Sequence, residues 1–159
     1  MAGHAKFYFF DTGVVNAFNQ RVGAPPDPKY RGHLFEQWAI TEALRCLKYR
    51  LSEARLFHWR TSNQAEVDLV IEKYGAVVAG IEVKAKKVID RSDLSGLRQV
   101  ATEYPGAKRV LVCEVDEPKE FNGVLILTWA QLYKKVADIT GGKTADKFVS
   151  LRPPTPLKK

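Results

Sequence analysis

Two short runs carry the residues with chemical potential: Glu66 and Asp68 stand two apart in AEVDLVIEK, and Glu82 and Lys84 stand two apart in AGIEVK. Each run is otherwise apolar and rich in Val and Ile, so both read as strands, and Lys73-Tyr74-Gly75 reads as the turn between them. Positions 68 and 82 are equally far from Gly75, so a hairpin centred there sets Asp68 opposite Glu82 and Glu66 opposite Lys84. Alternation then places Val67, Leu69, Ile71, Ile81, Val83 and Ala85 on an apolar face and the four charged residues on the other. Like charges directly opposite one another destabilise a sheet by a few tenths to about 1 kcal/mol. A divalent cation between Asp68 and Glu82 turns that repulsion into ligation, and Mg2+ takes sites of one or two carboxylates that keep several waters. Lys84 would point at the same spot. The same four residues also fit a solvated outer face on which Glu66 and Lys84 pair, and spacing alone leaves both readings standing.

The neighbouring elements must aim these groups. From His33 to about Tyr49, the residues Glu36, Ile40, Ala43, Leu44 and Leu47 form one stripe of an amphipathic helix, with Phe35, Trp38 and Ala39 widening it. Glu36 falls at the first turn of that helix. It is either a third carboxylate aimed at the hairpin or a favourable partner of the helix dipole. Arg55 to Arg60 is a strand ending in a turn or bulge at Thr61-Ser62-Asn63, and His58 reads as a packed or edge residue because His4 and His33 are far off in sequence. After Lys84, the cations Lys86, Lys87 and Arg91 precede a helix capped by Ser92, with the stripe Leu94, Leu97, Ala101 and Tyr104 and a stop at Pro105-Gly106. They lie where a phosphate backbone leaving the acidic site could run, although a solvated basic loop is the commoner reason for such a run. Gln99 is off the stripe and faces the site or water. With Arg60, these four make the candidate nucleic-acid contacts.

Lys108 to Val115 is a near-continuous apolar strand of the kind buried on both faces, and Gly123 to Leu127 is another. Thr128-Trp129-Ala130-Gln131 is a capping box that opens a last helix running to about Ile139 and ending at Gly141-Gly142. Towards the other end, Lys6 to Phe10 reads as a short aromatic strand, Asp11-Thr12-Gly13 as a turn, and GAPPDPKYR as a Pro-rich loop. The whole is one domain over residues 1–145 with a loose basic tail over 146–159.

The net charge of +7 and a pI near 9.4 favour a polyanionic partner, most often nucleic acid, though a membrane surface or plain solubility also fits. No apolar run approaches the roughly 20 residues of a spanning helix, and MAGHAKFYFFDTG lacks a signal-peptide layout, so the expected location is the cytoplasm. Cys46 and Cys113 read as buried thiols, which suggests neither a disulfide framework nor a zinc site. ADITGGKT at 137–144 trails out of a helix where a true P-loop joins a strand to a helix, and Gly75 to Gly80 lacks the following Lys, so nucleotide hydrolysis is not expected.

The order helix, strand, hairpin, helix, strand, strand, helix, with Glu36 after Leu34-Phe35, Asp68 in E-V-D, and Glu82-Val83-Lys84 in I-E-V-K, resembles the PD-(D/E)XK nuclease superfamily. The runs KFYFFDTGVVNAF, GHLFEQWAITEAL, FHWRTSNQAEVDLVIE and IEVKA look more closely like the nuclease-like C-terminal domain of archaeal and bacterial AAA-type ATPases. Val67 stands where a proline often precedes the Asp, and the Q-x-x-x-Y motif of some relatives is one residue too long between Gln99 and Tyr104. The resemblance implies an α/β fold with a restriction-endonuclease-like core, a mixed central sheet flanked by helices in the order α-β-β-β-α-β-β-α. It implies a Mg2+-dependent (or Mn2+-dependent) deoxyribonuclease with Glu36, Asp68, Glu82 and Lys84 as catalytic residues. Asp68, Glu82 and the carbonyl of Val83 would bind the ion, and Glu36 would ligate through water or hold a second ion. Lys84 would orient the attacking water, help deprotonate it and stabilise the transition state. DNA is the implied substrate, whether junction, flap or end. An AAA-type ATPase domain and a second copy of the chain are the implied protein partners. The alternative from a different class is a catalytically weak or silent module of the same fold that binds DNA or docks on such an ATPase, since a fold alone establishes no activity.

Overall fold

The computed structural model describes residues 6–61 and 65–141. Expectations for His4, for the Ser62-Asn63 turn, for Gly142 and for the tail lie outside the described residues. Helices α1 (Thr12–Phe18) and α2 (Pro28–Tyr49) are followed by strands β1 (Arg55–Arg60), β2 (Glu66–Lys73) and β3 (Ala76–Lys84). One turn of 3-10 helix (Ser92–Leu94) leads into α3 (Ser95–Glu103), then β4 (Lys108–Cys113), β5 (Lys119–Phe121) and β6 (Val124–Thr128). A second such turn (Trp129–Gln131) opens α4 (Leu132–Thr140). The six strands form one sheet in the order β1-β2-β3-β4-β6-β5, antiparallel from β1 to β3, parallel from β3 through β4 to β6, and antiparallel again at β5. The expected mixed sheet flanked by helices is present, with α1 and β5 added to the expected order.

Both faces of this sheet are core. On one, Ala39, Ala43 and Leu47 of α2 with Leu132 and Val136 of α4 pack on Leu69, Ile71, Ile81, Val83, Val110 and Val112. On the other, Leu94, Leu97 and Val100 cover Val67, Val70, Leu111 and Ile126. No face of the hairpin is left for chemistry alone, which corrects the two-faced picture drawn from alternation. The reactive groups emerge instead where the strands end.

Caps explain the element boundaries. The Asp11 carboxylate accepts from the Gly13 and Val14 N–H groups, so the expected turn at residues 11–13 is the start of α1. Lys6 to Phe10 pairs with no strand; it lies as a strap along α2, held by bonds from Arg45 to the Phe10 carbonyl and from Gln37 to the Asp11 carbonyl. Asp27 caps α2 through the Tyr30 N–H and Pro28 fills the first turn, so this helix starts inside the expected Pro-rich loop. The predicted capping box at Thr128 and Gln131 is formed. Around the next helix, Asp90 rather than Ser92 does the capping, accepting from the Ser92 and Asp93 N–H groups.

The layer of α3 lies unusually close to β2. A Cβ built on Gly96 would come within 2.2 Å of the Glu66 carbonyl oxygen and 2.9 Å of a Val67 methyl. Backbone cannot yield there, so Gly96→Ala should cost about 1–3 kcal/mol in urea unfolding. Gly32, inside α2 with nothing within 4 Å of its would-be Cβ, gives the opposite expectation: Gly32→Ala should gain about 0.5–1 kcal/mol. Equal effects at the two positions would contradict this account of the α3 contact.

Candidate active site

The hairpin that carries the carboxylates is set by a turn and corrected by a bulge. Tyr74 (φ 54°) and Gly75 (φ 82°) occupy the left-handed region between Lys73 and Ala76, a two-residue loop of the type that matches strand twist. Extended without interruption, that loop would set Asp68 level with Ile81. Instead the pairing shifts from Glu72 with Val77 to Ile71 with Ala79, so Val78 is one residue extra in β3. Beyond it Leu69 pairs with Ile81, and the next step of that register brings Asp68 level with Glu82. The expected Asp68–Glu82 juxtaposition is therefore reached by a route that symmetry about Gly75 does not describe.

A second irregularity sits on the other side of β2. Phe57 pairs with Val70 and Trp59 with Val67, so Asp68 and Leu69 together oppose the single residue His58. The bulge resets the alternation, which is why Val67 packs with Val70 under α3 and not beside Leu69 as alternation predicted. It also withdraws Glu66 from Lys84: Glu66 is exposed, pairs with Arg60 along the ladder, and lies 3.8 Å from His58 Nε2.

Asp68 and Glu82 are 7% and 6% exposed, and of their oxygens one, Glu82 Oε2, is left without a partner. The Val83 N–H donates to Asp68 Oδ2 at 2.9 Å, and Lys84 Nζ donates to Glu82 Oε1 at 2.5 Å, but Glu82 Oε2 is buried with no hydrogen-bond partner. Burial, then the charge of Glu36, lifts the Asp68 carboxyl to about 6. Burial, then the charge of Asp68, lifts Glu82 to about 7. Burial works against the Lys84 ammonium, yet the hydrogen bond and charge of Glu82, with Asp68 and Asp93 adding, raise its pKa overall. Lys84 is thus a cation at neutral pH.

Glu36 is half-buried in the third turn of α2, too far from Pro28 for a dipole role, which corrects its expected first-turn position. Its Oε1 accepts from Tyr8 Oη at 2.9 Å and Lys6 Nζ at 3.1 Å. The Tyr8 hydroxyl pKa is pushed up by burial and by Glu36, with Asp68 and Glu66 contributing, so these four side chains share one neighbourhood. Leu44, expected on the buried stripe of α2, is exposed, while Gln37 is buried. Among the described residues no three His, Cys, Asp or Glu side chains form a ready cluster for one metal ion. Two carboxylates meet; the third is held by Lys6 and Tyr8. The donor set is nonetheless all oxygen, and an orphaned carboxylate oxygen on a buried pair is what a hard cation such as Mg2+ or Mn2+ satisfies.

The candidate nucleic-acid contacts are dispersed. Lys86 is bound by Asp93 at 2.7 Å and Asp90 at 3.1 Å, and Lys87 by Asp116 at 3.0 Å, so the expected basic path is largely neutralised within the fold. Arg60, Arg91 and Gln99 are exposed, on β1, before the 3-10 turn and on α3 respectively. Lys6, Tyr8 and Asp93 were not expected near the site. The only signal for Tyr8 is a phenol among phenylalanines in a segment that otherwise reads as strand.

The family of domains of unknown function DUF4143 matches residues 31–132. The chain belongs to the DUF4143 family. No curated protein matches it. A solved structure, the refined half-complex from the tetradecameric assembly of Thermococcus gammatolerans McrB AAA+ hexamers with bound McrC, contains a chain similar at 16% identity with a TM-score of 0.45. The match covers 67% of this chain and 32% of that one, so this DUF4143 chain spans about a third of that chain's length. Among the described residues no helix is long and apolar enough to cross a membrane.

The raised Asp68 pKa has a definite sign. The folded protein holds this proton more tightly than the unfolded chain, so ionisation costs stability as pH rises from the ordinary value of 3.8 to about 6. In chelator-containing buffer, Asp68→Asn, which keeps an oxygen for the Val83 N–H, should melt like the wild type at pH 3.5. Above pH 6 it should melt a few degrees higher, at about 2–4 °C per kcal/mol relieved. A variant less stable than wild type at pH 8 would show that Asp68 is a structural ion-pair partner instead.

Proposed function

We propose that this DUF4143 domain has a restriction-endonuclease-like core and is a metal-dependent endonuclease that hydrolyses DNA phosphodiester bonds. The observation that carries the reading is the buried Asp68–Glu82 pair with an unsatisfied Glu82 oxygen and Lys84 beside it. A purely structural site of this kind would be a liability, because unpaired buried polar atoms cost about 1–3 kcal/mol each and charged ones more. Such costs persist where function requires them.

Asp68, Glu82 and the carbonyl of Val83 would hold the ion, Mg2+ or Mn2+; when bound it supplies positive charge at the scissile phosphate and makes water a better nucleophile. The Val83 N–H fixes the Asp68 carboxylate, so one of its oxygens is held and the other is left for ligation. Lys84 enters as an ammonium; its task is to orient water and to stabilise charge on the phosphorane-like transition state, with Glu82 holding it in place. Glu36, steadied by Tyr8 and Lys6, adds negative potential at Asp68 and stands where it can accept a hydrogen bond from water. The net charge of +7 draws in the polyanion.

One observation favours a second reading. Glu36 is occupied by Lys6 and Tyr8, and no three acids cluster among the described residues, which suits a catalytically weak module that binds DNA or docks on an AAA-type ATPase domain. A homodimer is compatible with either reading. Cleavage of plasmid and branched DNA in Mg2+ or Mn2+ separates them. The nuclease reading expects cutting that falls at least about 100-fold in both Asp68→Ala and Lys84→Ala, as for loss of a group stabilising transition-state charge. Cutting that persists in both variants would discredit the site, and DNA binding without cutting would favour the docking module.

A further inference from the structure

Beside the carboxylates, and outside the basic loop where a substrate path was expected, a cleft of about 430 Å3 opens between the strap of residues 6–10 and α2. Lys6, Phe7, Tyr8, His33, Glu36 and Glu66 line it. That volume is in the range of ligand-sized clefts. Its walls combine an aromatic ring with cationic and hydrogen-bonding groups. Phe7 is 80% exposed although it sits one residue from the half-buried Tyr8, and its ring stands perpendicular to that of Phe9 at a centroid distance of 5.3 Å, leaving aromatic surface to solvent. Lys6 and His33 supply cationic or hydrogen-bonding groups on the same walls. Of the two acids in the lining, Glu36 is answered by Lys6 and Tyr8, while Glu66 is exposed at the rim. Lys6 is paired with Glu36 much as Lys86 and Lys87 are paired with Asp90, Asp93 and Asp116, but it alone of the three lies on a wall of this cleft.

We propose that this cleft receives one unpaired nucleotide flanking the scissile bond, its base against Phe7 and its phosphate towards Lys6 and His33, so that the substrate class is DNA with a single-stranded flap or end. A base in a continuous duplex is stacked on both faces and offers neither surface to Phe7. The location rests on the nuclease reading, because Glu36 ties the cleft to the Asp68–Glu82 site. The binding chemistry does not.

The test is fluorescence anisotropy in Ca2+, to limit cutting, with a labelled flap DNA and a fully paired duplex of equal length. Wild type, Phe7→Ala, Lys6→Ala and the remote control Tyr74→Asn are compared, each with its melting temperature. Wild type should favour the flap, and Phe7→Ala should lose about five-fold or more of that affinity, the lower end for one base–aromatic stack, with duplex binding and melting unchanged. Lys6→Ala should also weaken the flap selectively, and Tyr74→Asn should match wild type. Equal wild-type affinity for flap and duplex, or flap binding untouched by Phe7→Ala, would overturn the proposal. Cleavage in Mn2+ distinguishes its failure from that of the function it rests on. Cutting of duplex and flap alike by wild type and Phe7→Ala removes the cleft and leaves the nuclease, whereas selective flap binding without cutting supports the cleft and removes the nuclease.

Discussion

Two carboxylates forced together away from water govern this domain. Asp68 and Glu82 are each less than a tenth exposed, burial and a neighbouring acid (Glu36 for Asp68, Asp68 for Glu82) disfavour their ionisation, and one buried oxygen, Glu82 Oε2, is left unanswered. The rest of the fold holds that arrangement in place. β4 lies in the middle of the sheet, supplies Val110 and Val112 to one core and Leu111 and Cys113 to the other, and pairs with β3 along its length. Gly96 lets α3 close on the backbone of β2 at Glu66, two residues from Asp68. Closure of both layers on the strand ends is what removes water from the pair.

The bulges decide which groups meet. A hairpin is a device in which one residue of slip moves every side chain to the other face. The Tyr74-Gly75 loop alone would put Asp68 level with an isoleucine; the extra residue at Val78 restores it to Glu82. Opposite β1, the doubling of Asp68 and Leu69 against His58 interrupts alternation at the candidate ligand itself. Such irregularities recur next to functional sites because they re-aim a side chain that regular pleating would misplace.

Much of this was legible in the residues. Residue types marked out Asp68, Glu82 and Lys84, although the spacing argument reached their juxtaposition without the bulge at Val78 that produces it; the long helix, the buried β4, the buried thiols and the capping box at Thr128 were legible directly. What was not legible depends on contacts distant in sequence. Val67 looks like a neighbour of Leu69 because nothing in EVDLV announces a bulge, and Glu66 looks like a partner of Lys84 for the same reason. Lys6 to Phe10 has strand composition, but a strand exists only where a sheet edge accepts it, and here Arg45, Gln37 and Glu36 of α2 hold the segment instead. Two features carry local signals of their own: Asp27-Pro28 as a helix start, and Asn122-Gly123, both at positive φ, as the turn that adds β5. The neutralisation of Lys86 by Asp93 could be seen only once the loop was closed.

The central claim is that the Asp68–Glu82 pair exists to hold a cation, and anomalous diffraction from a crystal soaked in Mn2+ addresses it directly. The account predicts a peak within about 2–2.5 Å of an Asp68 oxygen and of Glu82 Oε2, the oxygen that otherwise lacks a partner. A soaked crystal with no peak there, or with manganese bound only elsewhere, would contradict it.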